Sequence, residues 1–121
     1  MEQYRKEYKE FLDTYSKGMT SGEDVGAVIA RMAQYFVEVN IEYGKALMAY
    51  NIAAREIEES CDEETGKPIS STKAKVIAAA LPQSERLIDS KIHIDNLEQI
   101  INALKSLQRG LLQEYSHAGN M

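Results

Sequence analysis

The 121-residue chain holds one cysteine, two prolines and no tryptophan. A lone cysteine, Cys61, excludes an internal disulfide and suits a reducing cytosol. With so little proline, neither a proline-rich tail nor a disordered class fits. No apolar run approaches the roughly 18 residues that a membrane-spanning helix needs. The opening segment MEQYRKEYKEFLD is charged throughout and lacks the apolar core of a secretory signal. These absences predict a cytoplasmic protein with no membrane partner. Positive charge is outnumbered, with 14 lysines and arginines against 19 acids. The formal net charge of −5 disfavours the phosphate attraction that carries most non-specific nucleic-acid affinity.

What is present is ordinary for a soluble domain: 44% hydrophobic and 27% charged residues. A chain of this length buries a core without covalent staples, so one helical-bundle domain over 1–121 is expected. The charge is unevenly spread. Residues 1–20 carry four acids and four bases, residues 21–65 ten acids and three bases, and residues 66–121 five acids and seven bases.

The strongest pattern is a heptad stripe on Val25, Ile29, Met32, Phe36, Val39, Tyr43, Ala46, Tyr50, Ala53 and Ile57. Its spacings alternate four and three without an error, the period of a helix packed lengthwise on other helices. A helix from about 22 to about 60 is predicted, with Thr20 or Ser21 as its cap and Glu23 and Asp24 in its first turn. Val37, Ile41, Met48 and Ile52 lie on the opposite side, so this helix is apolar on two faces and calls for burial on both. Gly26 and Gly44 inside it cost about 1 kcal/mol each against alanine, a cost that close helix approach usually offsets.

A shorter first helix is predicted over about 3–17, where Tyr4, Tyr8, Phe11, Leu12 and Tyr15 share one face. Gly18 ends it. Gly66 and Pro68 mark a turn, and Ser70 or Ser71 caps a third helix over about 71–117, kinked or broken near Pro82. The expected fold is all-α: a long, coiled-coil-like antiparallel helical hairpin with a short N-terminal helix. That short helix spans only about 20 Å and cannot cover a rod of nearly 60 Å. Completion of the bundle as a homo-oligomer is therefore expected, with the first helix exchanged through its glycine-flanked joint as one route. The interface residues would be Tyr4, Tyr8, Phe11 and Tyr15 with Val37, Ile41, Met48 and Ile52.

Catalytic chemistry finds little footing. Gly66-Lys67 is not a phosphate loop, since Cys61 replaces the first glycine and Pro68 the hydroxyl residue after lysine. Cys61 sits among acids that suppress its thiolate. His93 and His117 have no nucleophile beside them, and His93 reads as a boundary or satisfied core residue. The acids lack the alternating loop of a calcium site. A di-iron bundle needs paired Glu-x-x-His motifs, and only Glu114-x-x-His117 fits. No enzyme activity, cofactor or metal is expected.

Two charged clusters flank the turn. Lys67, Ser70, Ser71, Lys73, Lys75 and Arg86 surround the start of the third helix, where free N–H groups favour an anion. Glu56, Glu58, Glu59, Asp62, Glu63 and Glu64 form an acidic tip that the same lysines would neutralise. The first arrangement would bind a nucleotide or single-stranded nucleic acid; the second would only hold the turn. Seven of the nine aromatics are tyrosine, which suits packing and interfaces, or base stacking where lysines are near.

The segments TGKPISSTKAKV and HIDNLEQIINALKSLQRGLLQEYSHAGN, in the last half of the chain, resemble small all-helical proteins encoded by tailed phages and prophages. That resemblance implies an accessory factor or inhibitor that binds another protein.

Overall fold

A computed structural model of the chain describes residues 3–18 and 20–119, with side chains as far as Glu114. The side chains of Tyr115 and His117, and with them the Glu114-x-x-His117 pair, lie outside the described residues. Four helices follow one another: α1 (Gln3–Ser16), α2 (Gly22–Glu58), α3 (Ser71–Ala79) and α4 (Pro82–Gly119). The fold is all-α, and the long arms α2 and α4 pair as an antiparallel hairpin.

Local chemistry sets the helix ends. Gly18 leaves α1 at φ +75°, a left-handed conformation that suits glycine. Ser21 caps α2 reciprocally. Its Oγ accepts from the Asp24 N–H at 3.2 Å, and its own N–H donates to the Asp24 carboxylate at 2.9 Å. The Ser21 N–H first, and the Ser21 hydroxyl second, hold the Asp24 pKa below its usual value. Ser70 caps α3 through the Lys73 N–H at 3.2 Å.

The predicted third helix is two helices. The chain turns at Ala80 and Leu81, and Pro82 opens α4. A first helical position needs no N–H partner, so the proline begins a helix there and kinks none.

The chain forms two compact units, Met1–Glu38 with His93–Met121, and Val39–Ile92. In the first unit, Gly22 lies beside Leu112 and Gly26 beside Gln108. Further along, Phe36 shares a groove with Glu98 and Ile101, which is the antiparallel register. A Cβ on Gly26 would stand 3.0 Å from Gln108 Nε2, the end of a side chain that would have to shift slightly to admit it. The core is Tyr4, Phe11, Val25, Met32, Ile94, Leu97 and Leu104, with His93. Helix α1 is seated against α2 and α4 of its own chain. The buried Tyr4 hydroxyl lies 2.7 Å from His93 Nδ1. Glu7 pairs with Arg31 at 3.2 Å, and the Arg31 guanidinium lies over the Tyr35 ring.

In the second unit the buried residues are small: Val39, Ala46, Ala74, Ala78 and Ser84. Glu42 of α2 accepts from Arg86 of α4 at 3.3 Å. The connection from α2 to α3 is a tight loop. The Asp62 N–H donates to the Lys67 carbonyl and the Gly66 N–H to the Asp62 carbonyl, both at 2.7 Å. Cys61 and Pro68 form an isolated antiparallel bridge, and Gly66 sits at φ +69°.

Candidate interaction surface

The heptad stripe is the inward face of α2: Val25, Met32, Val39 and Ala46 are at most 1% exposed. The other six, Ile29, Phe36, Tyr43, Tyr50, Ala53 and Ile57, are half-buried. The opposite face is open. In the second unit Ile41 is 54%, Met48 66% and Ile52 55% exposed. Val37, on the α2 segment of the first unit, is exposed as well. Isolated apolar residues at a surface are common, but branched and long side chains repeated at helical spacing on a face turned from the core form a patch.

Gly44 lies in the middle of that patch, three residues after Ile41 and four before Met48. A Cβ there would meet nothing within 4 Å. The chain's own packing thus sets the Gln108 side chain beside Gly26 and gives no reason for Gly44. The second unit exposes further apolar side chains at Leu47, Val76, Ile77, Ile88 and Ile92. Ile88 and Ile92, four residues apart, share one face of α4.

The α1 aromatics divide. Tyr4 and Phe11 are buried in the core of the first unit. Tyr8 is half-buried, and Tyr15, 39% exposed, stacks on Phe11 at 6.3 Å. Sequence spacing placed all four on one helical face but carried no sign of what α1 lies against.

At the tip, Glu56, Glu58, Glu59, Glu63 and Glu64 are exposed, and Asp62 is half-buried. The Lys73 ammonium reaches the Asp62 carboxylate at 2.9 Å, and the Glu64 N–H donates to the same group at 2.9 Å. Chiefly through Lys73, the Asp62 pKa is held below its usual value, and Lys73 is raised in return. Within the basic cluster, Ser70 serves as the α3 cap and Arg86 pairs with Glu42, while Lys67, Ser71 and Lys75 are exposed. One acid–base pair across the turn is therefore formed, and the structure joins Arg86 to α2 instead of to the lysines.

One feature escaped the sequence pattern. In the first unit a groove of about 530 Å³ runs between α2 and α4, lined by Ile29, Ala33, Phe36, Glu98, Ile101, Asn102 and Lys105. Helix α1 covers one side of this helix pair and leaves the groove open on the other. The only signal in the sequence is that Ile29 and Phe36 belong to the stripe. No protein-family model, curated protein or solved structure matches the chain.

Proposed function

We propose that this chain is a non-enzymatic helical interaction protein, a cytoplasmic homo-oligomer that binds another protein. The resemblance to phage-encoded helical proteins gives that role its form, an accessory factor or inhibitor acting by occlusion or scaffolding. The observation that carries the reading is the second unit's inversion of size. Its buried residues are a valine, three alanines and a serine, while Ile41, Met48, Ile52, Ile88 and Ile92 face outward. Each keeps roughly half of its surface exposed, so burying the remainder against a partner is worth about 1 kcal/mol each. No helix of the described residues is long and apolar enough to cross a membrane.

If a second copy takes the α2 face, the acidic tip is the surface left for a different protein. The pairing of Lys73 with Asp62 and of Arg86 with Glu42 weighs against a nucleotide site there. Native mass spectrometry of gently purified protein tests the proposal. A discrete oligomer mass is expected, reduced to monomer by Met48→Glu at unchanged helicity. Added mass equal to a nucleotide or oligonucleotide would replace it. Charge reversal at Glu58, Glu59, Glu63 and Glu64 that leaves partner binding intact would remove the tip from it.

A further inference from the structure

We infer that the α2 face pairs with the same face of a second copy, antiparallel, about a two-fold axis that passes beside the Gly44–Lys45 bond. This rests on the interaction reading above and specifies its first partner. Three observations carry it.

The first is spacing. Ile41 and Met48 stand equally far from the Gly44–Lys45 bond, one before it and one after. Along the sequence, Val37 precedes Ile41 by four residues as Ile52 follows Met48 by four. A two-fold axis across that bond reverses the helix direction, bringing Ile41 level with Met48 of the second copy. A self-complementary surface of this kind is what a two-fold interface requires.

The second is Gly44. It lies in a helix interior, where glycine is unfavourable, and nothing in its own chain occupies the space that a Cβ would take. At the crossing point of two helices the missing Cβ lets the backbones approach. Gly26, by contrast, already has the Gln108 side chain of its own chain 3.0 Å from the place of a Cβ.

The third is charge. A two-fold axis sets residues near their own copies, so an uncompensated charge on the face would meet its like. The nine residues Ala46–Ala54 carry no charge. Lys45, at the edge of the face, is turned to Glu42 at 3.5 Å, and Glu42 also holds Arg86. The charges nearest the axis are thus compensated within one chain.

The test uses the full chain with Cys61→Ser, because Cys61 is exposed. Ile41→Cys and Met48→Cys proteins are oxidised separately and as a mixture. A disulfide-linked dimer is expected from the mixture and not from either alone, since each residue lies about 10 Å along the axis from its own copy. Cross-linking of each alone, at least as fast as in the mixture, would overturn the antiparallel pairing. A dimer in solution that forms no Ile41–Met48 cross-link would overturn this inference and leave the interaction reading standing. A chain monomeric at all concentrations would overturn both the inference and the homo-oligomer part of that reading. Gly44→Ala gives an independent sign. A methyl group at the crossing is expected to weaken dimerisation about tenfold. Unchanged dimerisation in that variant would overturn the placement of the axis.

Discussion

The two units are built from the same pair of long helices and the same unbroken heptad stripe, yet they bury different things. The first sets Tyr4, Phe11, Met32, Leu97 and Leu104 inside, and α1 supplies a third helix over the seam. The second sets alanines and one valine inside, and its third helix is the nine-residue α3, whose buried positions are Ala74 and Ala78. Small residues let helices approach, but each removes little apolar area from water. The large apolar side chains of the second unit are half-buried, as at Tyr43, Tyr50, Ile57 and Leu87, or exposed, as at Ile41, Met48, Ile52, Ile88 and Ile92. A heptad repeat therefore specifies which face of a helix turns inward, and the size of its residues specifies how much that face stabilises.

Truncation in each unit is the sharpest way to break this comparison. Leu104→Ala removes a buried side chain from the first unit, and a loss of about 3 kcal/mol is expected by urea unfolding. Met48→Ala in the second unit, at dilute protein, is expected to change stability by less than about 0.5 kcal/mol. Its effect should grow with protein concentration if the proposed second copy covers the side chain. Equal losses from the two substitutions in dilute protein would mean that the units do not differ in this way.

Tyr4→Phe has a smaller expected effect and sharpens the comparison from the other side. It keeps the ring that packs edge-on to His93 at 5.6 Å and deletes only the hydroxyl 2.7 Å from Nδ1. Leaving a buried ring nitrogen without that partner costs about 1–2 kcal/mol. The loss should fall on the first unit, with α1 amides exchanging faster while the α3 amides are unaffected.

Much of this fold was legible in the sequence, because helical periodicity is a property of single segments. Each residue of the stripe from Val25 to Ile57 is buried or half-buried, and Val37, Ile41, Met48 and Ile52 are exposed. The glycines and capping serines mark ends that depend only on neighbouring residues. What was not legible joins distant segments. Tyr4 meets His93 across 89 residues, and nothing near either residue announces the other. That contact is what places Tyr4 in the core of the first unit. The open groove beside Phe36 has the same origin, since it exists only because α1 lies on the other side of the helix pair. Pro82 marked a break correctly, yet periodicity does not distinguish a kinked helix from a fresh start. For the candidate surface, the pattern identified the outward face, whereas the contrast between Gly26 and Gly44 required coordinates.

The smallest expected effect concerns pH at the tip of the second unit. The folded pKa of Asp62 is lowered by Lys73 and by the Glu64 N–H, so its contribution is complete above the unfolded aspartate value. It is lost as pH falls through the lower folded value. Lys73 is raised by Asp62, so its contribution is complete below the unfolded lysine value and is lost as pH rises through the higher folded one. The pair therefore holds the loop across the whole neutral range and releases it only at the two extremes. Both groups are solvent-accessible, and screening keeps the change local instead of shifting global stability. It is read as movement of the Glu64 and Gly66 amide resonances in acid, with Asp62→Asn abolishing the acid limb. In the first unit Asp24 is lowered too, but by the N–H and hydroxyl of Ser21, with no cation involved. Raising the salt concentration should therefore move the Asp62 transition toward the ordinary aspartate range and leave the Asp24 transition nearly fixed. Equal salt sensitivity at the two sites would mean that the Lys73 charge does not set the tip.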